Sequence, residues 1–203
     1  MEHTVNRIEL RGTLCSPPIF SHENHNRRFC RFALEVERLS GTKDVLPVVA
    51  AEDVLQNSQL FPGCRIEVIG QIRSFNSRSE TGRKLIISVY AEYLAGTELS
   101  DENDVRLIGT VCKPPVFRRT PLGRSICDVM LAVNRLYRRT DYIPCILWGR
   151  TAQQFYEMPV GTSLELSGRL QSRTYLKALP EGNEQRVAYE VSVTQAEEYK
   201  QSS

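Results

Sequence analysis

The chain repeats itself, and the repeat limits what it can fold into. Ile8 to Phe20 reads IELRGTLCSPPIF and Val105 to Phe117 reads VRLIGTVCKPPVF, at a constant offset of 97 residues. Gly12 answers Gly109, Thr13 answers Thr110, Cys15 answers Cys112, and Phe20 answers Phe117. The register then runs on without a gap. Cys30–Leu39 matches Cys127–Leu136, and Asp44 and Pro47 fall on Asp141 and Pro144. After one inserted residue, Gly63 and Gly70 answer Gly161 and Gly168. A period this long is domain-sized, so the 203 residues divide into two units of one architecture rather than a solenoid of short repeats. The expected division is a first domain over 1–96, a polar, acidic linker over 97–104, and a second domain over 105–200.

Each copy shows the same order of elements. A first strand, about Val5–Leu14 or Val105–Val111, stops at a Cys-x-Pro-Pro run, because proline cannot donate to a sheet ladder. A loop follows, and then a strand with Cys30, Phe32, Leu34 and Val36 inward, or Cys127, Val129, Leu131 and Val133. The third strand is Val45–Ala51 or Tyr142–Gly149. A short helical segment, Glu52–Leu60 or Thr151–Met158, ends at proline and glycine stop signals. The fourth strand, Arg65–Phe75 or Ser163–Tyr175, leads through a polar hairpin loop to a fifth, Leu85–Tyr93 or Val187–Thr194. The hairpin loops are Asn76–Arg83 and Lys177–Arg186. Five strands with a helix between the third and fourth is the order of an OB-fold, a small Greek-key barrel whose face and loops hold oligonucleotides or oligosaccharides. The expected class is all-β, two tandem OB-folds. Gly12, Gly109, Gly70 and Gly168 stand where such a barrel bends or bulges.

Leu131–Gly149 (LAVNRLYRRTDYIPCILWG) carries the functional signal. Side chains alternate across a strand, so Tyr142, Pro144, Ile146 and Trp148 share one face, and Ile143, Cys145 and Leu147 form an apolar row on the other. If that row points inward, Tyr142 and the single tryptophan, Trp148, point outward beside Arg135, Arg138, Arg139 and Arg150. Flat rings among cations are what single-stranded nucleic acid requires, stacking for bases and charge for phosphates. The alternative is that Tyr142 and Trp148 are buried or cover a neighbouring element. Arg169, Arg173 and Lys177 of the fourth strand and its hairpin join the candidate phosphate contacts. The net charge is only +2, but residues 105–196 hold 13 Lys+Arg against 7 Asp+Glu, a net of +6. Residues 5–96 hold 12 against 10, a net of +2, so most of the positive field belongs to the second half.

Other classes of function fit poorly. The six cysteines lack a CxxC pair, the three histidines lie in the first quarter, and no ligand spacing points to zinc, so no metal and no cofactor are expected. The thiols are expected reduced and buried as small apolar residues. Asp44 and Asp141 are repeat-equivalent, but no second carboxylate, nucleophile–base pair or glycine-rich phosphate loop accompanies them, which argues against an enzyme. No apolar run spans a bilayer and no leader pattern opens the chain, so a cytoplasmic protein without membrane contact is expected.

The second copy resembles the bacterial single-stranded DNA-binding protein family and the primosomal replication proteins related to it. Leu107-Ile108-Gly109, Leu131–Arg135, Thr140–Gly149 and Gly161–Tyr175 carry the resemblance, which spans 103–195. It implies a non-enzymatic role in replication, recombination or repair. It also implies stacking positions at Tyr137, Tyr142, Trp148 and Tyr175. For Tyr175 the alternative is a tyrosine capping the barrel edge. In the first copy Ser40, Val45 and Ala51 replace the first three rings, and Phe75, two positions before the register of Tyr175, is the candidate substitute for the fourth. Its cations, among them Arg27, Arg28, Arg31, Arg73, Arg78, Arg83 and Lys84, are candidate phosphate contacts or an ordinary charged surface. The residues from Glu197 to Ser203 do not match the family's Gly/Gln/Pro-rich linker and acidic tip, so the resemblance supports the DNA-binding role and not the partner-recruiting one.

Two readings of different class follow. One is sequence-independent binding of single-stranded DNA, with a homodimer supplying four OB-folds. The other is a primosome-like scaffold that contacts replication or mobile-element proteins through the ring-poor first barrel. Single-stranded RNA is a further alternative ligand, since stacking does not sense the 2′-hydroxyl.

Overall fold

The computed structural model describes residues 5–56, 60–79, 82–135, 139–179 and 182–200. It contains two OB-folds in tandem. The first is built from β1 (Asn6–Leu14), β2 (Ile19–Asn24), β3 (Arg27–Glu37), β4 (Lys43–Ala51), α1 (Glu52–Leu55), β5 (Arg65–Ser79) and β6 (Gly82–Gly96). The second is built from β7 (Glu102–Val111), β8 (Val116–Arg119), β9 (Ser125–Arg135), β10 (Arg139–Trp148), α2 (Gly149–Phe155), β11 (Ser163–Leu179) and β12 (Gly182–Glu198). Neither helix is long and apolar enough to cross a membrane.

Alternation places the core as expected. Ile143, Cys145 and Leu147 are buried, as are Phe32, Leu34 and Val36 on β3 and Val129, Leu131 and Val133 on β9. Each barrel closes where its first strand meets its long second one, Leu14 beside Leu34 and Val111 beside Leu131. The closing backbones approach so closely that a methyl at Gly12 would run into the Glu35 carbonyl, and one at Gly109 into that of Ala132. Only glycine fits there.

Three expectations are corrected. The loops between the first two long strands are partly strand, since β2 and β8 pair with β3 and β9. The first of these hairpins turns on His25 and Asn26, both at positive φ, which suits a two-residue connection. The polar hairpin loops are strand as well, because β5 pairs with β6 as far as Ser79–Gly82 and β11 with β12 as far as Leu179–Gly182. Such a ribbon stands out from the core and lacks the apolar alternation that marks a strand in sequence. The first helix also spans only Glu52–Leu55, where Glu52–Leu60 was expected.

The two barrels share one sheet. Its order, β2-β3-β4-β6-β5-β1-β7-β11-β12-β10-β9-β8, reads the same from both ends once repeat-equivalent strands are matched. The centre is an antiparallel β1–β7 ladder in which Ile8 faces Val105, its own repeat equivalent, so a pseudo-two-fold axis passes between them. Glu102, Asn103 and Asp104, expected in the linker, are part of β7 for this reason. Asn103 exchanges two hydrogen bonds with the backbone of Leu170, and Asn6 does the same with Ile72.

A second pair of contacts obeys the same symmetry. Asp44, fully buried, accepts hydrogen bonds from Arg38 of its own barrel and from the backbone N–H and hydroxyl of Ser172 on the other, at 2.6–2.9 Å. Asp141, its repeat equivalent and also fully buried, accepts from the backbone N–H of Ser74 at 2.7 Å and from Arg73 at 3.2 Å. Arg135 Nε lies 2.8 Å from the same carboxylate but off the N–H direction, so that pair is electrostatic rather than hydrogen-bonded. Each barrel thus grips the projecting hairpin of the other.

Candidate nucleic-acid interface

The outer face of the second barrel is formed by β9 and β10 with the β11–β12 hairpin. β10 pairs with β9 along its whole length, from Arg139–Arg135 to Trp148–Ile126, and this register turns the even-numbered side chains of β10 outward. Tyr142 stands 42% exposed. Its backbone N–H donates to Ser74 Oγ at 2.7 Å, so its position is held by the first barrel. Trp148 ends the strand half-buried, with its Nε1 donating to Ser192 Oγ at 3.0 Å. The Arg124 guanidinium lies 5.6 Å from the indole centroid, close enough for a cation–π contact. Gly149, at a φ of 56°, turns the chain from this ring into α2.

Ile146 departs from the simple alternation, being 2% exposed although it lies in the outward row between Pro144 and Trp148. It pairs with Ser192 on β12. Tyr175, on the projecting hairpin, is half-buried with Arg173 5.7 Å from its ring. Tyr137 and Arg138 lie outside the described residues.

The candidate phosphate contacts divide into groups. Arg139, Arg150 and Lys84 are exposed. Arg173 is exposed and lies 3.4 Å from Glu190. Arg73 and Arg135 both face Asp141, so two cations share one buried carboxylate and leave an excess positive charge at the inter-barrel seam. Burial first and the neighbouring Arg135 second lower the proton affinity of Arg73. Arg169 is half-buried near Arg38, with burial again the main influence lowering its pKa, and its Nε has no hydrogen-bond partner among the described residues. Arg83 and Lys177 lie on the hairpin strands β6 and β11, as does Arg78 on β5. Phe75 is 54% exposed on β5.

Several participants were not singled out from sequence. Arg124 lies in a loop seven residues before the stretch Leu131–Gly149 identified there, and nothing in the chain order ties it to Trp148. Ser192 reaches the indole across the parallel β10–β12 pairing. Asp44 and Asp141 hold together the seam rather than standing in a site. Burial opposes ionisation of Asp44, but its hydrogen bonds with Arg38 and Ser172 outweigh it and hold the carboxyl below the usual carboxylate range.

Two grooves contrast in charge. One of about 910 Å³ beside α1 and β6 is walled by Asp53, Glu92 and Glu98 as well as Arg65, and those carboxylates repel phosphate. The other, of about 750 Å³, lies on the outer face of the first barrel and reaches the second at Arg135, Arg139 and Tyr189. Among the described residues its wall carries four arginines and no carboxylate.

All six cysteines are free. Cys30, Cys127 and Cys145 are buried, but Cys15 is exposed, which corrects the expectation of uniformly buried thiols. Burial, with Asp128 adding to it, pushes the Cys127 thiol up to about 11. Among the described residues no three His, Cys, Asp or Glu side chains come together as a metal-holding group.

A family model described as the single-strand binding protein family matches residues 102–199. Single-stranded DNA-binding protein B of Bacillus subtilis is 36% identical over 80 residues, covering 36% of this chain and 71% of that protein. Single-stranded DNA-binding protein 1 of Staphylococcus aureus is 38% identical over 80 residues, covering 36% of this chain and 48% of its own length. The chain therefore spans most of the first relative and about half of the second. The crystal structure of wild-type single-stranded DNA binding protein from Thermus aquaticus superposes with a TM-score of 0.80 at 22% identity, over 99% of this chain and 96% of that one. At that identity the likeness is one of fold.

Proposed function

Since the chain belongs to the single-strand binding protein family, we propose that it holds single-stranded DNA on the outer face of its second barrel, largely without regard to sequence. One observation supports this reading: Tyr142 is exposed, Trp148 and Tyr175 are half-buried on strands joined through the β10–β12 and β11–β12 pairings, and a guanidinium lies near each of the last two rings. Every base offers a flat face to such rings, so stacking does not select sequence. Arg139 and Arg150, exposed beside them, draw the phosphates and release counterions, which makes affinity fall with salt. Tyr137 and Arg138 belong to the same proposed set by their place in the chain.

The role is binding without catalysis, in replication, recombination or repair within the cytoplasm. A homodimer would bring four barrels together, and light scattering with and without oligo(dT) reports that stoichiometry.

Trp148 is the only tryptophan and lies in the proposed site, so its fluorescence tests the proposal directly. Oligo(dT) is expected to quench it, and duplex of equal length to compete poorly. Equal affinity for duplex, or no quenching by oligo(dT), overturns the reading.

A further inference from the structure

We infer that the first barrel carries a second base-stacking site, rebuilt from rings on strands other than the one that carries Tyr142 and Trp148. The inference rests on the binding role proposed above and extends it to residues that the family's ring positions do not include.

Position-by-position comparison makes the first barrel look bare, because Ala51 stands where Trp148 does. Ala51 is nevertheless only 1% exposed, at the end of an outward row. The strand pairings show what surrounds it. Ala51 lies opposite Phe29, as Trp148 lies opposite Ile126. On the other side Val49 pairs with Tyr90, as Ile146 pairs with Ser192. So where the second barrel has a tryptophan flanked by isoleucine and serine, the first has an alanine flanked by phenylalanine and tyrosine. The rings have moved one strand to either side.

The rebuilt cluster is ordered. His22 lies on Phe29 at 4.8 Å with the planes 9° apart, and Tyr90 is tilted against Phe29 at 6.1 Å. Phe29 is buried, so it serves as backing, while His22 is exposed and Tyr90 half-buried. Arginines meet these rings as they do in the second barrel. Arg27, the repeat equivalent of Arg124, lies 5.8 Å from the Phe29 ring, and Arg73 lies 5.5 Å from that of Tyr90.

The charge of the surface selects the occupant. His22, Tyr90, Phe75 and Arg31 line the groove of about 750 Å³ whose wall, among the described residues, has arginines and no carboxylate. Arg31 stands where the second barrel has Asp128, so at this position the first barrel is the more favourable to phosphate. A polyanion with flat bases fits such a wall. The groove continues to Arg139 of the second barrel, and Ser74, next to Phe75, holds the backbone of Tyr142. A single strand leaving Tyr142 therefore has a path of rings and cations into the first barrel.

The test uses the full chain and an oligo(dT) of about 30 nucleotides, enough for two barrels at about 4–16 nucleotides each, with iododeoxyuridine placed along it. Photo-cross-linking followed by peptide mapping is expected to mark His22, Phe75 or Tyr90 as well as the second-barrel rings. In parallel, H22A/Y90L is expected to lower the ratio of long-oligo to short-oligo affinity at least about tenfold, with thermal unfolding checked for both proteins. Cross-links confined to the second barrel, with Trp148 still quenched by a short oligo, overturn this inference and leave the proposed function standing. Loss of quenching and cross-linking altogether in the wild-type chain overturns both.

Discussion

In the second barrel the ring beside the loop arginine Arg124 comes from β10, as Trp148; in the first, the ring beside the equivalent Arg27 comes from β3, as Phe29. The arginine and the scaffold are kept while the aromatic partner changes strand. The charges around the two faces also differ. Arg139 and Arg150 of the second barrel correspond to Thr42 and Asp53 of the first, and Asp53 is paired with Arg27 at 2.8 Å. The second barrel is therefore the more open to phosphate along β10 and α2, whereas the first contributes Arg31 and Arg73 to the groove that faces the seam. After duplication the two barrels have diverged in where they present rings and charge, and much less in how they are built.

The largest expected effect tests what they share. Asp44 and Asp141 are fully buried, and each clasps the opposite hairpin. D141A leaves Arg73 and Arg135 facing each other without their carboxylate, at a cost of about 3 kcal/mol, the low end for breaking a buried pair because both guanidinia remain partly solvated. For a chain of this size that is a fall of roughly 10 °C in Tm by calorimetry. A change below about 2 °C would show that the seam does not depend on the clasp. Asp44 adds a pH signature. Its folded carboxyl titrates below the ordinary range, so its contribution to stability is complete above the unfolded pKa and is lost as pH falls through the folded one. D44N is expected to flatten the acid limb of stability against pH, and an unchanged limb contradicts this account.

The next effect concerns the rings. W148A removes a stacking platform worth about 1–3 kcal/mol per base, a loss of roughly 10- to 100-fold in oligo(dT) affinity by filter binding. It is expected to exceed the loss from F75A, and the reverse order would move the principal grip to the first barrel. The reciprocal change sharpens the comparison further. If the first barrel merely lacked a ring, A51W would restore one and raise affinity. Because Ala51 is buried between the strands that bear Phe29 and Tyr90, the indole has no room, and A51W is expected to destabilise by about 1–3 kcal/mol without tightening binding.

These substitutions also mark what could be read from the chain alone. The offset of 97 divided the protein, and alternation put Ile143, Cys145 and Leu147 inward and Tyr142 outward, because both signals are local or strictly periodic. Three features are neither. Asp44 finds Ser172 at a separation of 128 residues, and no pattern announces such a partner. The projecting hairpins mix polar residues with scattered rings and aliphatics such as Phe75, Tyr175 and Leu176, so their strands carry no regular apolar alternation. The displaced rings of the first barrel escape any comparison of equal positions, since a ring moved to a neighbouring strand changes position in sequence while staying close in space. Tyr90 and Ser192 match only through the parallel pairings of β6 with β4 and β12 with β10.

The smallest effect separates charge from stacking. Arg139 is exposed at the start of β10, and its counterpart in the first barrel, Thr42, is neutral. If Arg139 contacts one phosphate, R139A removes one counterion-release event. The slope of log affinity against log salt for oligo(dT) then becomes shallower by about 0.7. The loss of affinity at moderate salt stays below about tenfold, and it shrinks as salt rises and screens the wild-type contact. W148A is expected to behave oppositely, lowering affinity at every salt concentration and leaving the slope as it was, because stacking releases no counterions. Measured side by side, the two variants test whether the second barrel holds DNA by rings and charges acting separately. Parallel lines for R139A would assign Arg139 to the solvated surface and move the phosphate contacts to Arg150 and the seam.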